Sequence, residues 1–120
     1  MLHHDLLKDQ GILILKPEGA LRAEDFADLA KTVDPYLEQK GELKGIVVDA
    51  VAFPGWENFA GLVSHLRFVR DHHRRVRRIA AVTDSKVLTI APKIASHFVN
   101  AEVRVFDAGA RDAALAWISG

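Results

Sequence analysis

The chain has no cysteine among its 120 residues, so no disulfide, thiolate nucleophile or thiolate metal site can be built. That absence fits a cytoplasmic address. Sixteen Lys/Arg balance sixteen Asp/Glu, and a chain with no net charge does not have the basic character expected of a nucleic-acid-binding protein. No apolar run approaches the roughly 18 residues needed to span a bilayer. The start, Met1-Leu2-His3-His4-Asp5, lacks the basic and then apolar regions of a signal peptide.

Catalytic vocabulary is scarce as well. The serines are Ser64, Ser85, Ser96 and Ser119, and none sits in a G-x-S-x-G elbow. There is no glycine-rich phosphate loop. His72 and His73 are adjacent, so on a helix they point about 100° apart, unlike the i, i+4 pair of a zinc helix. Ser85 beside Asp84 reads as a helix cap. No acid, base, nucleophile and cofactor set can be assembled, and the chain is expected to be non-enzymatic, with no metal and no cofactor.

What is present is a core. Apolar residues make up 49% and charged residues 27%, the composition of an ordered protein, and the length suits one domain spanning residues 1–120. The charge is unevenly spread: residues 1–66 hold 6 Lys/Arg against 11 Asp/Glu, and residues 67–120 hold 10 against 5. Six arginines, two histidines and one aspartate fall between Arg67 and Arg78.

Hydrophobic periodicity predicts alternating elements. Leu2 to Leu7 and Gly11 to Lys16 read as strands, and Gly11 to Lys16 should lie inside the sheet. A helix begins near Ala23, with Phe26, Leu29, Ala30, Val33 and Leu37 at helical spacing. Asp34-Pro35 should bend or interrupt it, and Gly41 should end it. Gly45 to Asp49 is a second interior strand, followed by a helix from about Trp56 to His72. Arg78 to Val82 is the next strand. Thr83-Asp84-Ser85 offers caps for an apolar helical segment through Val99 that contains Pro92. Glu102 to Phe106 is the last strand and Arg111 to Ile118 the last helix. The order implies right-handed crossovers and an α/β domain: a five-stranded, mostly parallel sheet with one antiparallel edge strand and four helices.

The Gly19-Ala20-Leu21 entry to the first helix, the segment Val48-Asp49-Ala50-Val51-Ala52-Phe53-Pro54-Gly55-Trp56, the strand Arg78 to Val82, and the closing Val103 to Phe106 with Ala114 to Ile118 resemble the SpoIIAA-like branch of STAS-like domains. The resemblance spans nearly the whole chain. It implies a small winding of strand-helix units, related at fold level to the CRAL-TRIO lipid-binding domains. In the sporulation-type anti-sigma-factor antagonists a serine just after the third strand is phosphorylated. Here no serine or threonine occurs from Asp49 to Leu62, and the first hydroxyl is Ser64, so that switch is not carried over.

Candidate binding residues follow from the chemistry of strand ends and helix faces. Asp49 ends an interior strand, the place where open α/β sheets keep ligand sites. Val87, Leu88, Ile90, Ala91, Ile94, Ala95, Phe98 and Val99 span an apolar arc of about 180°, wider than a surface helix needs. The expected apolar site is lined by Asp49, Phe53, Trp56, Phe59, Val63, Leu88, Ala91 and Ile94 and takes a small apolar or lipid-like ligand. Trp56, Phe59, Leu62, Val63, Leu66 and Val69 share one helix face, which puts Phe68 on the opposite, exposed side. Arg67, Phe68, Arg70, Arg74 and Arg75 are therefore the candidate surface for an anionic membrane or a protein partner, with the domain cytoplasmic and peripheral to the membrane. The same arginines also suit compensation of a helix C-terminal dipole. The runner-up function is a protein-interaction module of the anti-sigma-antagonist type without the phosphorylatable serine.

Overall fold

The structure, a computed structural model, describes residues 1–50, 55–84 and 101–120. Strand β1 (Leu2–Leu7) turns Leu2, His4 and Leu6 towards the protein, and an almost unbroken apolar run builds β2 (Ile12–Pro17). The two pair antiparallel, with Leu6 opposite Leu13. Helix α1 (Ala23–Lys40) leads to β3 (Leu43–Asp49), and α2 (Phe59–His72) leads through a 3-10 turn (His73–Arg75) to β4 (Val76–Val82). Strand β5 (Glu102–Phe106) and helix α3 (Arg111–Ser119) close the chain. The sheet order is β1-β2-β3-β4-β5, and every pair after the first is parallel. The sheet is the one expected, with its single antiparallel strand at an edge. Among the described residues there are three α-helices. The further helix expected through Val99 lies outside them.

Each face of the sheet buries a separate cluster. On one face Leu13 and Ile46 pack against Leu29, Val33, Tyr36 and Leu37 of α1. On the other, Ile12, Ile14, Val47, Ala80 and Val82 pack against Ala114 and Ile118 of α3. Gly45 is what lets α3 sit so low, because a Cβ there would come within 2.5 Å of Ile118 and 2.9 Å of the Arg78 carbonyl oxygen. Interior parallel strands covered on both faces need apolar residues at successive positions, which is why β2 and β3 read as runs.

Two boundaries differ from the sequence expectation. Helix α1 runs through Pro35 instead of breaking there. Val33, Tyr36 and Leu37, buried on either side of the proline, tie both flanks to one core, and that packing outweighs the lost backbone donor. The helix then ends at Gly41, whose N–H donates to the Leu37 carbonyl at 2.8 Å. Helix α2 starts at Phe59 and not at Trp56, because Asn58 is its N-cap: the Asn58 side chain accepts from Gly61 N–H at 3.0 Å. Trp56 sits instead in a short parallel bridge with Leu21, closed by Leu21 N–H to Gly55 O (2.9 Å) and Glu57 N–H to Leu21 O (2.8 Å).

Candidate functional site

Helix α2 is the element that packs in the unexpected sense. At 100° per residue, Gly61, His65, Phe68 and His72 share one side, and Phe59, Val63, Leu66 and Arg70 share the other. The first side is the one turned to α1. Gly61 allows the approach, since a Cβ would stand 2.6 Å from the Leu21 carbonyl oxygen. Behind it the rings form a continuous column between the helices. Trp56 lies 6.0 Å from His65, His65 stacks on Phe26 at 4.9 Å, Phe26 meets Phe68 at 6.1 Å, and Phe68 stacks on His72 at 4.0 Å. Phe68 is therefore not the exposed aromatic that the helix pattern predicted. It packs against the α1-side core, in ring contact with Phe26 and His72.

The two histidines of the column make different demands on their protons. Trp56 Nε1–H donates to His65 Nδ1 at 3.1 Å, so that nitrogen acts as an acceptor. Burial pushes the His65 pKa below its ordinary value. His72 Nδ1 lies 2.7 Å from the Phe68 carbonyl oxygen, and its Nε2 lies 2.6 Å from Asp34 Oδ1. Both partners are acceptors, so His72 makes both bonds only with a proton on each nitrogen. Beside it a shallow groove of about 270 Å³ runs between α1 and α2, floored by Phe26, Ala27 and Phe68 and rimmed by Ser64, Arg67 and Asp71. Ser64, His72 and Asp34 share this groove, yet they do not form a catalytic triad. Both imidazole nitrogens are already engaged, and neither is left to take a serine proton.

The opposite side of α2 faces outward. Phe59 is 77% exposed and Leu66 is 60% exposed, and Val63 between them is half-buried. Phe59 was expected to line a pocket, and the structure corrects this: the ring column and the close approach at Gly61 turn the other side of the helix to the protein. Asp49 and Trp56, expected in one site, are not brought together. Asp49 follows Val47 on the α3 face of the sheet, where its carboxylate lies 3.9 Å from Arg111, while Trp56 belongs to the α1 side. Phe53, Leu88, Ala91 and Ile94 lie outside the described residues.

The SpoIIAA-like profile matches residues 12–119, nearly the whole chain. The chain belongs to the SpoIIAA-like family. A solved structure of similar shape, an uncharacterized protein with a SpoIIAA-like fold from Shewanella loihica PV-4, superposes with a TM-score of 0.73 at 18% identity. The match covers 98% of this chain and 92% of that one, a likeness of fold. No curated protein matches the chain.

In this SpoIIAA-like domain the arginine run divides by function. Arg75, though exposed, caps α1, its Nε donating to Gly41 O at 3.1 Å and its second terminal nitrogen to Leu37 O at 3.3 Å. The guanidinium is thereby drawn to the carbonyl-rich, negative dipole end of a neighbouring helix. Arg78 does the same for α3: it donates to the Trp117 carbonyl and lies 5.1 Å over the Trp117 ring. Arg70 pairs with Asp71 at 3.0 Å, Arg67 stands at the rim of the α1–α2 groove, and Arg74 is exposed. The helix pattern did not show the capping role, although carbonyls at the ends of α1 and α3 with few basic neighbours in their own last turns were a signal for it.

Two further clefts open at the amino ends of the strands, about 320 Å³ beside Lys44, Arg78 and Ser119, and about 280 Å³ beside Lys8, Tyr36 and Lys44. Both are walled mainly by charged groups. Among the described residues no three His, Asp or Glu side chains converge as metal ligands, and no helix is long and apolar enough to cross a membrane.

Proposed function

We propose that this SpoIIAA-like domain is a non-enzymatic binding domain that docks on anionic lipid surfaces through the outward side of α2. One observation carries the reading: Phe59 and Leu66, seven residues apart and so within about 20° on the helix surface, are exposed while aromatic rings on the same helix are packed inward. A stripe of apolar side chains rimmed by polar groups marks a contact surface. Arg70 shares that side, and Arg67 and Arg74 flank it, so the guanidinium groups can stay at headgroup level while the apolar side chains enter the boundary. Each basic residue held near such a surface adds about 1 kcal/mol of attraction.

Co-sedimentation with vesicles of zwitterionic lipid, alone and with phosphatidylserine, tests this. Binding should rise with the anionic fraction, fall with salt, and disappear in a Phe59→Ser, Leu66→Ser variant. Absence of sedimentation with anionic vesicles at low salt would sink the proposal and leave the protein-interaction module, which uses the same side of α2, as the better reading.

A further inference from the structure

We propose that the cleft of about 280 Å³ at the amino ends of β2 and β3 binds the phosphate group of a small phosphorylated molecule, with the Tyr36 hydroxyl at its floor and Lys8, Lys44 and Arg77 around it. Its walls come from the β1–β2 turn, the last turns of α1 and the starts of β3 and β4. Four basic residues, Lys40 among them, line it against two acidic ones, Asp9 and Glu42, so the cleft is positive.

Strand register sets two of the cations side by side. Leu43 is level with Val76 and Gly45 with Arg78, which puts Lys44 and Arg77 at one level on neighbouring parallel strands, about 4.8 Å apart. Both line this cleft and the adjoining one beside Arg78. Like charges so placed destabilise the pairing of their strands. Glu42 answers Arg77 only at 3.9 Å, and among the described residues Lys8 and Lys44 pair with no carboxylate. An anion seated between them relieves the repulsion.

The floor supplies an independent observation. Tyr36 is 8% exposed and packs in the α1-side core, yet it also lines the cleft. Its hydroxyl donates to Lys8 O at 3.4 Å, long against the roughly 2.8 Å of a good hydroxyl bond. A nearly buried donor is thus left weakly engaged. Gly11 keeps it open to the cleft: its φ of 70° makes the turn, and a Cβ there would stand 3.2 Å from the hydroxyl oxygen and 3.6 Å from Lys44 Cγ, over the floor between them. A phosphate monoester suits this set better than a carboxylate, because it carries close to two charges and presents three acceptor oxygens to a hydroxyl, an ammonium and a guanidinium together. Apart from Gly11 and Tyr36 every residue of the wall is polar, so the part of the ligand held here is polar and not an acyl chain. The site shares no residue with the outward side of α2 and does not depend on the docking proposed there.

Calorimetric titration of the full chain with inorganic pyrophosphate at low salt, followed in parallel by amide NMR, tests the site. Pyrophosphate should bind and shift the amides of Gly11, Lys44 and Arg77. Tyr36→Phe, which keeps the ring in the core, and Lys44→Gln should each weaken binding roughly tenfold with the circular dichroism spectrum unchanged. The Phe59→Ser, Leu66→Ser variant should bind pyrophosphate as the wild type does. Sedimentation of that variant with vesicles carrying phosphatidylinositol 4-phosphate would identify a lipid headgroup as the source of the phosphate, and pyrophosphate binding without sedimentation a soluble molecule; either agrees with the site. Absence of heat and of amide shifts with pyrophosphate, or an affinity that Tyr36→Phe or Lys44→Gln leaves unchanged, overturns it.

Discussion

Arg75 Nε donates to the Gly41 carbonyl at 3.1 Å, closing the end of a helix that finished 34 residues earlier in the chain. The guanidinium also reaches Leu37 O, so one side chain from the turn before β4 answers two carbonyls of α1. Replacing Arg75 with Ala should lower stability by about 1–2 kcal/mol through lost charge-assisted bonds and dipole compensation. Lysine should recover only part, because it cannot present the fork. Urea unfolding midpoints for the three proteins check this.

Arg74 and Arg75 should respond differently to charge reversal. Arg74→Glu leaves the fold intact, with stability within about 0.5 kcal/mol, and weakens sedimentation with anionic vesicles. Arg75→Glu should instead lower the melting temperature, because a carboxylate would face the carbonyls of α1. Equal melting losses for both would show that the capping geometry is not what distinguishes them.

Gly61→Val should cost about 1–3 kcal/mol, since the added carbons meet the backbone oxygen of Leu21 at 2.6 Å or closer. The ring column should be disturbed at the same time. Quantum yield and emission maximum of Trp56, read in a Trp117→Phe background, should both change, whereas Leu66→Ser should leave them as they are.

The stability of the whole chain should show an acid loss assignable to His65. Its folded-state pKa lies below the ordinary 6.5, so between the two values the unfolded chain binds more protons than the folded one. Stability from this source is therefore full above about pH 6.5, declines as pH falls towards the folded value, and is constant below it. The difference between wild type and His65→Phe, followed by urea midpoints from about pH 8 to about pH 5, should narrow as pH falls. A difference independent of pH would refute the assignment.

Val47→Asp should abolish the cooperative melting transition, because Val47 is fully buried in an apolar cluster between the sheet and α3, where a carboxylate would be desolvated. Circular dichroism on heating settles it.

The strands were readable because burial on both faces leaves nowhere for polar residues, and Ile12–Leu15 and Ile46–Val48 show it directly. The ends of α2 and the side it buries were not. Its outward side, with Phe59, Val63 and Leu66, is more apolar than the side that packs, with His65, Phe68 and His72, so periodicity alone points to the wrong side. Gly61 decides the matter through a backbone contact with Leu21, forty residues earlier, and the pattern of α2 taken alone carries no trace of that contact. The arginine run was visible as charge. Its division into helix caps and surface groups depends on where α1 and α3 end in space.

Strand order has a last consequence for where a ligand can enter. From β2 to β5 the parallel strands are laid down side by side in chain order, always stepping in one direction. In open α/β sheets the crevice at the carboxyl ends arises where that stepping reverses and two adjacent connections leave towards opposite faces. This run of strands contains no reversal, so it makes no such gap beside Asp49, and the carboxylate meets Arg111 there instead. A sheet wound this way would leave recognition to surfaces away from the carboxyl ends of its strands, as the docking proposed for α2 requires.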